Sequence, residues 1–562
     1  MICGVKPTHD GGVAVIDGNR LAFSIEMEKL SNRRRHERLT SLGIVVEQLR
    51  HNEIPVDAIE NLALDGWYPT GSRAAKGIPD EAGHTAPLGL AGYTDLSDER
   101  FSADPFAEVG GSLPLAGRPF CYRSYPHTFG HVFSAYCTSP FAAADDDAFI
   151  LVWDGGTGAL LYRFEPRTRR LANLGTVLDT TGLLYPVFAS SLEPYRAHWL
   201  QGLTDRDANE VDADEEAIWW WSLSIPGKAM AYAGLGDVDE DAVSVFSEMS
   251  RDGIGRPGPV VWTTRCRRKL QRLGLPDASL MASFQEFLYR SLEQGLKAKL
   301  GEIGQSLPLC FAGGCALNIK FNARLRASGL FNDVWVPPFP NDSGSAIGMA
   351  CTEMVRTSPH HALSWSVFSG PALRTSDPLP AGWTSRPCSP ADLADHLYEN
   401  GQPVVVLSGR AELGPRALGH RSILAPATER GMHDHLNHIK NREGYRPVAP
   451  ICLEDRAEEV FHPGVRDPYM LFDHAVRPEW AELIPAVVHA DGTARLQTVG
   501  PDNELMHTVL TRYYARSGIP VLCNTSANFA GCGFFPDVAS AMQWNRIPLV
   551  WAENVLYARE SP

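Results

Sequence analysis

Ile150-Leu151-Val152-Trp153-Asp154-Gly155-Gly156 is an apolar run closed by an aspartate and two glycines, and it leads into a second apolar run from Gly158 to Tyr162. The same order of residues occurs near the start, where Asp10-Gly11-Gly12 leads into Val13 to Ile16. Each stretch predicts strand, tight glycine turn, strand. Glycines free the backbone to approach a phosphate or a metal-bound anion, and the aspartate can hold a cation or a hydroxyl. Two such hairpins this far apart predict a duplicated architecture; two ordinary glycine-rich hairpin turns are the plain alternative.

A third glycine site follows the strand-like Leu307-Pro308-Leu309-Cys310-Phe311, where Ala312-Gly313-Gly314 opens a helical pattern from Ala316 to Leu325. Strand, glycines and helix form a nucleotide-type turn, so Gly313, Gly314 and Asn318 are candidate nucleotide-binding residues. The spacing matches neither the Walker sequence nor Gly-x-Gly-x-x-Gly. Further on, Val334-Trp335-Val336 and a proline run end in Asn341-Asp342-Ser343-Gly344, which predicts a strand and then a helix start with Asp342 at or near the N-cap. Between Arg356 and Pro390 the sequence is proline-rich and lacks periodicity, so we expect two domains, 1–365 and 366–562. The stretches Gly71 to Thr94 and Ser97 to Gly111 predict irregular excursions of the kind that cover substrate pockets.

At 562 residues the chain exceeds one hydrophobic core. Its 44% hydrophobic and 21% charged residues are ordinary for a folded protein. A net charge of −15 argues against a surface that coats nucleic acid, so local basic clusters read as sites. The N-terminus lacks a secretory pattern, and no apolar run is long enough for a bilayer. A cytoplasmic protein with no membrane partner is expected, its 11 cysteines reduced.

His127 and His131 lie four residues apart, a spacing that stacks two imidazoles on one helical face and lets them share a metal ion. Two histidines leave positions for carboxylates and for something the metal could grip. In the C-terminal part, cations fall beside turn residues in Gly414-Pro415-Arg416, Lys440-Asn441-Arg442, Tyr445-Arg446-Pro447 and Asp491-Gly492-Thr493-Ala494-Arg495. Guanidinium groups bind phosphate oxygens bidentately, and in an acidic chain this grouping points to a polyanion. Asn524-Thr525-Ser526-Ala527-Asn528 follows an apolar strand and suits phosphates and a nucleobase or ribose.

Taken in order, His9-Asp10, Glu26-Met27-Glu28 with Arg33 to His36, the histidine pair, Asp154-Gly155-Gly156, Gly227-Lys228, Asp342-Ser343-Gly344, Gly414 to Ser422, Tyr445-Arg446-Pro447 and Asn524 to Asn528 resemble the NodU/CmcH-type O-carbamoyltransferases across nearly the whole chain. The resemblance implies an α/β and α+β protein with a duplicated actin-like (ASKHA) N-terminal domain and a YrdC-like mixed-sheet C-terminal domain. It implies an ATP-dependent O-carbamoyltransferase with a separate site for each of two steps. Carbamoyl phosphate and ATP, with Mg, would give carbamoyladenylate and pyrophosphate in the C-terminal site. The carbamoyl group would then pass to a small-molecule hydroxyl in the N-terminal site. For the first step it implies Arg416, Lys440, Arg446 and Arg495 on the phosphates, Asn524, Ser526 and Asn528 as hydrogen-bonding partners, and Met470 in the lining, with Lys440 and Ser526 acting on the reacting groups. For the second it implies His127, His131 and Asp342 as ligands of iron or another divalent metal, and Asp154 as a ligand or close neighbour. His9, beside Asp10, is the candidate base.

Ala527 departs from the family's Phe at that position and matches stand-alone YrdC proteins, which favours adenylation; His420 replaces a frequent asparagine. The opening segment, with Ser24 to Leu30, looks most like polyketide-tailoring members, so a macrolide or ansamycin acceptor is expected. A monomer or homodimer would suffice. Two other classes stay open: an actin-like sugar kinase, which leaves the histidine pair and the arginines unused, and a tRNA threonylcarbamoyladenosine-type modification protein, which the acidic balance opposes.

Overall fold

The computed structural model describes residues 1–560 apart from 34, 68–76, 81–82, 86–87, 98, 108, 198–220, 252, 254–257 and 375–379. Arg34 and part of the excursion expected over Gly71 to Thr94 therefore lie outside the described residues. The chain forms an α/β protein of mixed sheets.

In the first sheet β1 (Ile2–Lys6) pairs antiparallel with β2 (Gly12–Asp17), which pairs antiparallel with β3 (Arg20–Glu26). On its other side β1 pairs parallel with β4 (Asn61–Asp65); β5 (Gly110–Leu115) is antiparallel to β6 (Arg118–Tyr125), and β6 runs parallel to β4. The second sheet repeats the plan. There β7 (Ala148–Val152), β8 (Ala159–Glu165) and β9 (Arg170–Leu178) form the antiparallel meander, and β10 (Leu309–Ala312) and β11 (Val334–Trp335) extend it in parallel from β7. The strand orders β3-β2-β1-β4-β6-β5 and β11-β10-β7-β8-β9 thus carry the same meander and parallel extension twice. All five residues of β1 and of β7 are buried, because helices cover both faces and the strands are apolar except for Lys6 at the end of β1.

Beyond the proline-rich stretch, eight strands form one mixed sheet in the order β12-β22-β21-β13-β14-β20-β15-β19. They run from β12 (Trp383–Pro387) through β13 (Val404–Leu407), β14 (Arg421–Pro426), β15 (Ala449–Leu453), β19 (Gln497–Val499), β20 (Val521–Ser526) and β21 (Leu549–Ala552) to β22 (Val555–Arg559). A small sheet of β16 (Phe461–His462), β17 (His474–Val476) and β18 (Thr493–Ala494) lies outside it. The connecting segment bonds first to one part and then to the other: Ser364 N to Asn19 O, then Leu373 N to Gly409 O and Arg374 N to Pro536 O.

Two local expectations need correction. The helix expected from Ala316 begins only at Ile319, after a 3-10 turn over Gly314–Leu317. Asn318 takes extended dihedrals and its side chain accepts from the Lys320 and Phe321 N–H groups, so it caps the helix instead of continuing it. Asp342 likewise opens a 3-10 turn, Asp342–Gly344, and makes no cap; its carboxylate is drawn elsewhere by buried cations.

The loop that carries Arg416 presses against the N-terminal part. Gly414 has φ +78, and a Cβ there would lie 2.0 Å from Pro338 O. Gly414→Ala combines a left-handed strain with a backbone clash, and we expect it to destabilise the protein by about 3 kcal/mol or more, read as a lowered urea midpoint.

Candidate active site

The parallel strands point their carboxyl ends at one place, and each end supplies a polar residue, as α/β sheets commonly do. β1 ends at Lys6, β4 at Asp65, β6 leads through Pro126 into helix His127–Cys137, and β7 runs through Trp153 into Asp154. The helix carrying the histidines is buried along its whole length. It crosses helix Ser345–Thr357 so closely that a Cβ on Gly348 would lie 1.8 Å from Gly130 O. Gly130 stands between the two histidines, and this contact brings Asp342, just ahead of the second helix, up to them.

His127 Nε2 lies 3.2 Å from His131 Nε2, and Asp342 Oδ1 lies 3.3 and 3.4 Å from them. Donors bound to one ion at about 2.1 Å, with angles between the octahedral and tetrahedral values, sit roughly 3.0–3.4 Å apart. The three atoms therefore form a nearly equilateral triangle of the size one small divalent cation requires. Asp154 is 3.9 Å from each histidine; its Oδ1 accepts from Gly314 N at 2.7 Å and its Oδ2 from the Tyr93 hydroxyl. All four residues offer ligand atoms within 4.8 Å of one another.

A charged frame supports the triangle. Lys6 Nζ, fully buried, lies 2.9 Å from Asp65 and 3.0 Å from Asp342 Oδ2. Burial works against its charge, but Asp342 and Asp65 outweigh burial and hold it above the ordinary lysine value. In Asp342, burial is outweighed by Lys6 and His127, which keep the carboxyl well below its usual range. His127 Nδ1 lies 2.9 Å from Asp65 Oδ2; burial opposes protonation, yet Asp65 lifts the imidazole to about 10. A carboxylate behind a ligating histidine raises its basicity and fixes its ring in this way. His9 Nε2 meets Asp342 Oδ2 at 2.7 Å. Asp10 bonds His36 Nδ1 at 2.9 Å, and both Asp10 and His36 line the same space as His9.

Opposite this frame lie the C-terminal cations. Arg416 is pushed well below its normal value by burial and then by Arg495, Arg35 and Arg446. Burial and Arg446 bring Arg495 to about 10, and burial with the charges of Arg446, Arg495 and Arg35 brings Arg442 to about 9. Lys440 is lowered by burial and by Arg442 and Arg35; its Nζ donates to Ser526 O at 2.7 Å, Asn528 O at 2.9 Å and Asn528 Oδ1 at 2.5 Å. Ser526 Oγ donates to Asn528 Oδ1 at 2.6 Å. Asn524 gives its Nδ2 to Ala417 O and Gln497 Oε1, tying β20 to the Arg416 loop. Met470, 2% exposed, packs in the core and also lines the cavity. His420 instead stacks on Phe368, with ring centroids 3.7 Å apart, and faces away from it.

Both groups face one cavity of about 910 Å³, bounded by His9, Asp154 and Asp342 on one side and by Arg416, Lys440, Arg446, Arg495 and Ser526 on the other. Gly314 and Asn318 line it as well; Gly313, at φ +92, stands behind them against Trp153 O. The two separate sites expected from the sequence thus open into a single space.

Residues 1–351 match the family model described as Carbamoyltransferase N-terminus, and residues 394–557 match the one described as Carbamoyltransferase C-terminus. The chain belongs to the carbamoyltransferase family. It is an enzyme of the transferase class. Among curated relatives it is 42% identical to Nodulation protein U of Sinorhizobium fredii, over 100% of this chain and 99% of that protein, and 43% identical to the Rhizobium tropici protein of the same name, over 100% and 96%. The 3'-hydroxymethylcephem-O-carbamoyltransferase of Amycolatopsis lactamdurans is 32% identical over 95% of this chain and 94% of that one. Of solved structures, an activator of 2-hydroxyisocaproyl-CoA dehydratase from Clostridium difficile aligns with a TM-score of 0.33 at 12% identity, over 63% of this chain and 94% of that one.

For this carbamoyltransferase, sequence reading missed Lys6, Asp65 and Tyr93. Lys6 and Asp65 each carry a charge directly after an apolar run at the end of a strand, and that position was the available signal. Tyr93 offered none. No helix among the described residues is long and apolar enough to cross a membrane.

Proposed function

We propose that this carbamoyltransferase works in two steps at the two ends of the one cavity, with the N-terminal part actin-like and the C-terminal part YrdC-like in role. Carbamoyl phosphate, water and magnesium-bound ATP would give carbamoyladenylate, pyrophosphate and inorganic phosphate; the carbamoyl group would then pass to a hydroxyl, releasing AMP. The observation that carries this reading is the single cavity, lined on one side by Asp342 and Asp154, with the buried His127 and His131 against them, and on the other by a cluster of cations.

In the first step Arg416, Arg446 and Arg495 bind phosphate oxygens, and their charge offsets the negative charge that builds as pyrophosphate leaves. Water cleaves carbamoyl phosphate to carbamate and inorganic phosphate. A carbamate oxygen then displaces pyrophosphate from the α-phosphate of ATP beside Ser526 and Lys440, whose Nζ is fixed by its three oxygen acceptors. In the second step a divalent ion held by His127, His131 and Asp342, iron in the resemblance, would supply Lewis-acid stabilisation of charge on the departing AMP phosphate. Asp154, held by Gly314 and Tyr93, would serve as a further ligand or a close neighbour of that ion. His9 takes the acceptor's proton at Nδ1, while Asp342 Oδ2, bonded to Nε2 at 2.7 Å, stabilises the imidazolium.

Leu183, Tyr185, Pro186, Leu223 and Met230 give the cavity an apolar wall, which supports a bulky, largely apolar acceptor such as a macrolide or ansamycin. Pyrophosphate formation that requires both ATP and carbamoyl phosphate, together with the carbamoyl mass gained by a polyketide alcohol, would support the scheme. ADP formation with a sugar would overturn it. Chelation followed by gel filtration is expected to abolish carbamoyl transfer and to leave pyrophosphate release intact once magnesium is restored.

A further inference from the structure

The segment that follows β3 crosses to the C-terminal part twice. Lys29, 2% exposed, donates to Glu26 Oε1 at 2.7 Å and to the Glu412 and Gly414 carbonyls at 2.6 Å each. Those three bonds use all the protons of one ammonium. Glu26 Oε1 also accepts Gly414 N at 2.7 Å, while Glu412 Oε1 accepts the Leu418, His420 and Arg421 N–H groups. An N-terminal ion pair therefore holds the loop that carries Arg416.

A few residues later the chain crosses again. Arg35 N donates to Gly531 O at 2.9 Å, and the Cys532 thiol donates to Arg33 O at 3.2 Å. On the other flank His36 is fixed by Asp10 and by Glu28 Oε2, which accepts the His36 N–H at 3.0 Å. The N–H groups of Arg35 and of His36 are thus both held. Its side chain lines the cavity and forms no ion pair among the described residues. Its charge bears on Arg416, Lys440, Arg442 and Arg446, lowering the proton affinity of each. An exposed guanidinium whose Nε leans on Cys532 O, whose charge reaches four other cations and which has no ion-paired carboxylate among the described residues is a place for an anion.

We propose that Arg35 is a further substrate-binding residue of the phosphate site, supplied by the N-terminal half through segment 26–36 and contacting the phosphate groups of carbamoyl phosphate or ATP. This rests on the two-step reading above. It makes the phosphate site a joint product of both halves, so the C-terminal part alone lacks one of its cations.

The test uses the full-length chain with Arg35→Ala and Arg35→Lys. In pyrophosphate-release assays that vary each substrate separately, Arg35→Ala is expected to raise the KM for carbamoyl phosphate or ATP at least tenfold, with a smaller fall in kcat. Arg35→Lys should recover part of the loss, because it keeps the charge but not the bidentate fork. Calorimetric titration with inorganic pyrophosphate should show weaker binding by a comparable factor. Unchanged KM values and unchanged pyrophosphate affinity would overturn the assignment, and so would a loss of carbamoyl transfer alone. If the wild-type protein released no pyrophosphate, the two-step reading would fail instead, and the titration would still decide whether Arg35 binds the anion.

Discussion

A His131→Ala variant is expected to release pyrophosphate at close to the wild-type rate and to lose carbamoyl transfer by about 1,000-fold or more. Removing one donor of the three-atom triangle removes the means of holding a Lewis acid, whose stabilisation of the departing phosphate amounts to several kcal/mol, and about 4 kcal/mol corresponds to that factor. His131 is the informative position because its Nδ1 makes no hydrogen bond among the described residues. The other two donors are entangled in the frame: His127 is bound to Asp65, and Asp342 to Lys6 and His9. Replacing either would strand a buried charge at a cost of about 3–5 kcal/mol and confound activity with stability. Metal content measured beside both rates completes the test; pyrophosphate release lost along with transfer would sink the division of labour.

Arg416→Ala is expected to do the reverse, lowering pyrophosphate release by about 1,000-fold while leaving the thermal midpoint unchanged or higher. Burial and the charges of Arg495, Arg35 and Arg446 all act against this guanidinium, and its Nε has no hydrogen-bond partner among the described residues. Removing it relieves like-charge repulsion and breaks little, a pattern of a residue kept for function at some expense to stability. Lys440→Met should differ in sign on stability, because it removes the lysine donor from the buried Ser526 and Asn528 carbonyls and leaves Asn528 Oδ1 with Ser526 Oγ alone, at about 1–3 kcal/mol. Added pyrophosphate should raise the wild-type midpoint and leave that of Arg416→Ala nearly unmoved.

The sequence was most legible where chemistry repeats at short range. The two Asp-Gly-Gly hairpins predicted the doubled meander, and the i, i+4 spacing of His127 and His131 predicted two imidazoles on one helical face. It was least legible where the partner is brought in by topology. Lys6 and Asp65 are 59 positions apart and meet only because β1 and β4 are parallel neighbours with their carboxyl ends level. Glu412 looks like a surface acid in sequence, yet it is fully buried and gathers three N–H groups of the Arg416 loop. At Asn318 a local capping bond overrode an apolar periodicity that would have carried the helix back to Ala316. For the basic run Arg33 to His36, nothing nearby in sequence reveals that Gly531 and Cys532 lie against Arg35.

One molecule confined to about 910 Å³ is present at about 2 M, far above the millimolar effective concentrations that short flexible tethers reach. An activated intermediate made at one wall of that space would meet the opposite wall before it met bulk water. Its partition between transfer and hydrolysis would then depend on whether the acceptor is already seated. On the two-step reading proposed above, the shape of the cavity would set an order of events: occupancy by the alcohol would govern the yield per ATP consumed, whatever the intrinsic speed of either chemical step.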